Sequence, residues 1–445
     1  MENILIKNAN IVDSGTIRQS DVFIRNGIIE RIDPSISLSP GTRLIAADNL
    51  YLIPGVIDTH VHFRDPGLTH KGDFATESAA AAAGGVTSVI DMPNTVPAAV
   101  TPELLDEKFA IAAKTSSVNY SFMIGASKDN IDDILRADIT RVAAVKLFLG
   151  SSTGDMGVGN AEAVERIFVS SPLLIAAHCE DDAIIAANLA RAREEFGDNI
   201  PAYMHASIRD AEACFESSQY AVSLAKKTGA RLHICHISTA RELGLLSAIK
   251  FNSSKKITGE VCTHHLFFNQ TDYALKDNLI KVNPSVKSTE DQQALWDALV
   301  SGKIDSVGSD HAPHTIEEKR LPYLKCPSGG PMVQHSLPAM LSEVVKERID
   351  IETVVEKMCH NPARIFGIEK RGFVREGYFA DMALVEFNSP WRVHKESLKY
   401  KCGWSAFENR MFPARITHTI VGGQMAYVDG RIYPVTSATA LTFER

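Results

Sequence analysis

Eight short apolar runs follow one another through the middle of the chain, and helical stretches separate them. The runs are GVIDTHVHF, TSVIDMPN, YSFMIGAS, AAVKLFLG, LLIAAHCE, ARLHICHIS, KITGEVCTHH and DSVGSDHAP, with segments such as TPELLDEKFAIAAK and RDAEACFESSQYAVSLAKKTG between them. Strand–helix alternation of this kind argues for parallel strands joined by crossovers. Eight is the number that closes a (β/α) barrel, so the expected fold class is α/β, a (β/α)8 TIM barrel. A longer segment, LFFNQTDYALKDNLIKVNPSVK, interrupts the pattern between runs seven and eight.

The two ends of the chain read differently. ILIKNANIV, DVFIRNGIIERI with a turn at Asn26-Gly27, and RLIAADNLYLIP alternate apolar and polar residues, as do DMALVEF and RITHTIVGGQMAYVDGRIY near the C-terminus. Period-two alternation broken by Asn-Gly, Gly-Gly and Asp-Gly pairs is the hairpin signal. These segments are expected to pair into a small β-sandwich built from both termini, with residues 1–53 and 375–445 in the sandwich and 54–374 in the barrel.

Composition removes several classes of function. The formal charge is −8, from 46 basic and 54 acidic residues, and no basic block offers nucleic acid or an anionic membrane a footing. The seven cysteines form no Cys-x-x-Cys pair, which speaks against a disulfide framework and for a reducing cytoplasm. No apolar run approaches the ~20 residues that span a bilayer. The expected partner is a small molecule, and an anionic one would need Arg, Lys or metal placed locally.

Polar residues sit at one end of the runs. His60 and His62, Asn94, Lys146, His178, His236 and Asp310 fall at or near the C-terminal ends of six predicted strands, and in a TIM barrel those ends form the catalytic face. His60 and His62 flank Val61, so alternation puts both imidazoles on one side of their strand, and imidazole suits zinc and its neighbours. Taken singly, His178 and His236 read as satisfied core or rim histidines, and Asp310 as a helix cap or loop acid. Their coincidence at strand ends points to a metal site. Lys146 lies inside a run buried on both faces, where an ammonium is costly unless paired. Two readings follow: a lysine paired with a nearby carboxylate, or an amine that has captured CO2 as a carbamate. A carbamate can bridge two cations, among which four histidines and an aspartate share naturally, and a bridged metal pair acidifies the water it holds.

The strings PGVIDTHVHFRDPG, DMPNT, AVKLFLG, AAHCE, ICHIS, TGEVCTHHL and VGSDHAPH resemble, in order, the motifs of the cyclic amidases of the amidohydrolase superfamily, over essentially the whole chain. That group includes dihydroorotases, allantoinases, hydantoinases and dihydropyrimidinases. The resemblance implies two Zn2+ per subunit, one on His60 and His62 and the other on His178 and His236. N6-carboxylated Lys146 would bridge them, with Asp310 as metal ligand and catalytic proton shuttle. Some relatives replace the lysine with an aspartate slightly downstream, for which Asp155 is the local counterpart and a turn its plainer role; the lysine-type motif favours Lys146. Arg64, in His-Val-His-Phe-Arg, resembles the dihydroorotase form and suits a substrate carboxylate, a surface ion pair being its plainer role. Asn94 resembles a second carboxylate contact, Asn283 and His314 further substrate contacts, and backbone near Gly329 completes the pocket. The implied reaction is the reversible interconversion of dihydroorotate and N-carbamoyl-aspartate in pyrimidine synthesis, by a homo-oligomer.

Other residues carry a plainer expectation. Cys179 and Cys235 neighbour ligands, but strand alternation turns them away from the barrel mouth, as small core residues. His264 and His265 are expected to supply at most one partner to a ligand, because four histidines already close the site. Glu260 is expected either to orient a histidine or to form a buried ion pair. The chain departs from the family strings at Pro-Ser-Val-Lys over 284–287, at Cys262 and Thr263 before the histidines, and at Gln334 and His335. The alternatives to the implied reaction are another cyclic amidase and an inactive homologue that has kept the fold.

Overall fold

The computed structural model describes residues 2–150 and 160–445. Asp155 lies outside the described residues. Eight parallel strands, Val56–Val61, Val86–Asp91, Asn119–Gly125, Val142–Leu149, Ile175–Cys179, Leu232–Ile234, Ile257–Cys262 and Ser306–Gly308, pair with their neighbours in sequence order. They are called here barrel strands one to eight. The ring closes where His62 N–H donates to His311 O at 2.7 Å and His311 N–H reaches His60 O at 3.3 Å, around a Val61–His311 bridge.

Alternation along each strand sorts the core. On strand four, Val145, Leu147 and Leu149 face outward into the largest cluster, which includes residues of the surrounding helices, while Ala144 joins Ile57, Ile90, Met123, Ala176 and Cys235 in a second cluster inside the barrel. The same alternation turns Lys146 and Phe148 inward. Local signals set the crossover helices. Phe74–Ala83 begins at Asp73, whose side chain accepts from Thr76 N–H at 2.9 Å in a capping box. Ala211–Thr228 starts on Asp210 and ends on Gly229 in the left-handed conformation.

Both chain ends build one nine-stranded, mostly antiparallel sheet. Its N-terminal strands join its C-terminal ones through Tyr51–Pro54, which pairs antiparallel with Met382–Arg392. Strands from both ends of the sheet share one core of Ile4, Ile11, Val22, Ile29, Met382, Leu384, Ile420 and Met425, so the sheet curls over its own interior in the manner of a sandwich. The hairpin at Asn26-Gly27 has φ of 52° and 81°, the pair of positive values a type I′ turn requires. Among the described residues no helix is long and apolar enough to cross a membrane.

Candidate active site

One pocket of about 440 Å³, its open mouth included, is lined by His60, His62, Arg64, Asn94, Lys146, His178, His236, Asn283, Asp310 and Gly329, together with Phe148, Ala312 and Ser328. These residues come from separate barrel strands and the loops that follow them, which is how a parallel barrel assembles a site. Two backbone irregularities aim the side chains. Strand one slips in register against strand two between Asp58 and Val61, and Arg64, His236 and Asp310 each adopt a positive φ, 68°, 39° and 44°. Cys235 is a small core residue outside the pocket lining, as expected, but the turn at His236 changes which way it faces. Simple alternation would turn one of two adjacent residues outward, but strand six ends at Ile234 and the left-handed His236 lets both face inward. Cys235 Sγ consequently sits 3.2 Å from Lys146 Nζ.

The histidines are held from behind. His60 Nδ1 lies 2.7 Å from Glu260 Oε1 and His62 Nδ1 lies 2.6 Å from Asn94 Oδ1. Both partners are acceptors, so each imidazole places a proton on Nδ1 and turns Nε2 to the pocket. Those Nε2 atoms face Asp310 Oδ1 at 3.3 and 3.1 Å. At these distances either a proton or a metal cation shared with the carboxylate satisfies the Nε2 atoms. His178 Nδ1 is 2.9 Å from His236 Nε2. His178 Nε2 makes no hydrogen bond, although Glu180 Oε2 is 3.1 Å away.

Electrostatics agree with a cation-binding site. Burial and Lys146 lower the His60 pKa, but Glu260 and Asp310 overcome both and raise it to about 10. Their field would attract a metal ion for the same reason that it attracts a proton. Burial lowers His62 to about 4 and holds His178 and His236 neutral as well, the form in which imidazole ligates metal. Burial opposes ionisation of Asp310, yet His60, His62 and His264 hold its carboxyl below the usual range. Lys146 is 1% exposed, and among the described residues no carboxylate lies within ion-pair distance of it. The donor set of imidazole nitrogens, one carboxylate and one buried lysine fits a metal centre. His60, His62 and Asp310 also form one of the residue groups close enough to share an ion.

Arg64 is not a surface residue. It is 3% exposed, its Nε donates to Pro313 O at 3.1 Å, and among the described residues it has no carboxylate partner. His314 does not line the pocket. Its Nε2 lies 3.1 Å from both Arg64 Nη2 and Ser328 O, and its Nδ1 lies 3.1 Å from Lys71 Nζ, so it backs Arg64. Asn283 lines the pocket with its buried Oδ1 free of any hydrogen bond. Sequence reading missed the buried Lys281 and Lys319. Lys319 Nζ donates to Lys281 O at 3.1 Å and Pro327 O at 2.9 Å, anchoring the loop that carries Ser328 and Gly329. A lysine in an irregular segment or at the end of a one-turn helix, such as Ile316–Lys319, gives no signal that it is buried.

The sequence matches the amidohydrolase family over residues 51–426. A dihydroorotase of Methanosphaera stadtmanae is 32% identical over 98% of this chain and 99% of its own length. A dihydroorotase of Halobacterium salinarum is 35% identical over 90% and 94%, and an allantoinase of Bacillus velezensis is 32% identical over 96% and 94%. Among solved structures, the L-hydantoinase (dihydropyrimidinase) of Arthrobacter aurescens superposes with a TM-score of 0.92 at 26% identity, over the whole of both chains.

Proposed function

The chain belongs to the amidohydrolase family and is a cyclic amide hydrolase, and on that premise we propose that it is a dihydroorotase, interconverting dihydroorotate and N-carbamoyl-aspartate. The observation that carries the choice of substrate is Arg64, a buried guanidinium that lines the pocket without a carboxylate partner among the described residues. A buried charge without its counter-ion is costly, and a substrate carboxylate supplies that counter-ion in the bidentate geometry guanidinium favours. Dihydroorotate carries such a carboxylate on its ring, whereas allantoin and hydantoin do not.

In this reading His60, His62, His178, His236, Asp310 and N6-carboxylated Lys146 would hold two zinc ions. When bound, the metal pair supplies Lewis acidity for the ring carbonyl and acidifies water near neutral pH. Arg64 grips the substrate carboxylate. His62 occupies Asn94 Oδ1, which leaves the Asn94 amide NH2 to donate to the same carboxylate. The free Oδ1 of Asn283 accepts from a ring N–H, and Gly329 lets backbone approach the ring. Asp310 takes the proton that water sheds on attack and returns it to the ring nitrogen as the C–N bond breaks. Run backwards, the same groups close the ring.

Hydrolysis of L-dihydroorotate, followed by loss of ultraviolet absorbance, tests the assignment in wild type and Arg64→Ala, with allantoin and hydantoin in parallel. We expect turnover of dihydroorotate alone. Removing one partner of a buried charge pair costs about 3 kcal/mol, so kcat/KM of the variant should fall by about two orders of magnitude. Turnover of allantoin or hydantoin in its place would overturn the substrate and leave the metal centre standing.

A further inference from the structure

Behind the pocket wall lies a second group of donors that the proposed catalysis does not use. Barrel strand seven ends at Cys262, and the short helix Thr263–Phe267 that follows it carries His264 and His265. All three side chains are buried, and one ligand atom from each lies within 4.8 Å of the others. The two rings are 4.2 Å apart. His265 Nε2 donates to Pro284 O at 3.0 Å, which fixes the proton on that nitrogen and leaves Nδ1 with a bare lone pair. Among the described residues Nδ1 has no hydrogen bond, and neither ring nitrogen of His264 has one, the Ser309 backbone lying nearby but outside hydrogen-bonding geometry. The Cys262 thiol has only a long contact of 3.6 Å to Glu260 Oε1.

Three unpartnered nitrogens clustered in a protein interior call for explanation, because buried polar atoms in folded proteins are almost always paired. A histidine whose second nitrogen donates to a carbonyl is the arrangement seen in metal ligation. Burial keeps both imidazoles neutral, and one sulfur with two nitrogens is a donor set for zinc or another borderline-soft cation.

We propose that Cys262, His264 and His265 form a metal site for zinc or a chemically similar cation, separate from the catalytic centre. Donor atoms around tetrahedral zinc stand roughly 3.5 Å apart, so binding draws the three side chains together, and the thiol proton leaves to solvent as sulfur takes the ion. Through the His265–Pro284 hydrogen bond the site ties the end of strand seven to the loop that carries Asn283, steadying one pocket wall.

Cobalt reports on this site selectively, because none of the proposed catalytic ligands is a sulfur. Purified enzyme is stripped, reloaded with cobalt(II), and examined for a near-ultraviolet thiolate-to-cobalt charge-transfer band, with bound metal counted by mass spectrometry. Wild type should show the band. Cys262→Ser should lose it together with one metal equivalent per chain while retaining its fold by circular dichroism, and Cys262→Ala serves if the serine variant is insoluble. Absence of the band in wild type would overturn the proposal without recourse to any variant. So would a band that survives in the Cys262 variants and disappears in Cys235→Ser. Failure of dihydroorotate turnover leaves this readout untouched, so the two proposals fail separately.

Discussion

Arg64, His236 and Asp310, three non-glycine residues, sit on left-handed backbone, a conformation that costs of order 1–3 kcal/mol each. The strain is tolerable because each residue is buried and anchored, and its return is orientation: strand ends alone would not bring His236 and Lys146 to one pocket. Lys319 shows a similar exchange of stability for position. It is 2% exposed, and burial, with Lys281 and Arg64 adding to it, lowers its pKa from 10.5 to about 7. Between about pH 7 and 10.5 the unfolded chain therefore binds a proton that the folded chain does not, and stability rises with pH across that window. Below about pH 7 the folded state carries the full penalty of a buried ammonium. Lys319→Met should raise stability by about 2 kcal/mol at pH 6, in line with other apolar replacements of buried charge, and the gain should fade toward pH 10. KM should rise several-fold, because Pro327 O loses its anchor. Melting temperatures of both proteins from pH 6 to 10 check the sign, and a gain that does not change with pH would show that the charge is not its cause.

At the scale of elements, the barrel was legible because its strands are buried on both faces and punctuated by helices. His60, His62, His178 and Asp310 were legible because they stand at strand ends, where the barrel builds its face. What hid from sequence depends on backbone path and burial. Alternation misplaced Cys235 because it cannot foresee a left-handed residue next in line. Lys281, Lys319 and the position of His314 behind Arg64 depend on how the loop at 327–330 folds over the barrel mouth, and no periodicity encodes that. This loop makes its own prediction. Gly329 has φ of +133°, and a Cβ there would stand 2.6 Å from Ala312 O and 2.9 Å from Ala312 Cβ. Ala312 lies two residues beyond Asp310, so the displacement reaches the proposed proton shuttle. Gly329→Ala should lower kcat/KM by about tenfold or more, because misplacement of ~1 Å at a reacting centre is costly. Gly15→Ala is the control. It has φ of +75° with nothing within 4 Å of its Cβ, so it should cost about 1 kcal/mol of stability and no activity. Equal kinetics in the two variants would show that the pocket loop yields without consequence.

For the whole molecule, the barrel is least continuous beside the candidate site. Strand eight is three residues long, and its register with strand seven covers Glu260–Ser306, Val261–Val307 and Cys262–Gly308. Its backbone pairing with strand one is the single bridge at His311 and the two hydrogen bonds beside it, supplemented by Ser309, whose N–H donates to Asp58 Oδ1 and whose hydroxyl donates to His60 O. The proposed ligands span this seam, with His60 and His62 on one side and Asp310 on the other. A bound metal pair would then close the ring as well as serve the reaction, and binding to the folded state alone stabilises it by about 2.7 kcal/mol at a hundredfold excess over Kd. The terminal sheet has its own core and contributes no ligand. Removing metal with a chelator should therefore lower the melting temperature and speed amide exchange selectively in strand one and at residues 306–312. Exchange in the sheet strands Asn3–Asp13 and Met411–Val421 should stay unchanged. Hydrogen exchange read by mass spectrometry on holo and stripped enzyme separates local from global loosening. Faster exchange throughout would mean that the metals support the fold as a whole, and no change at the seam would mean that the ring closes without them.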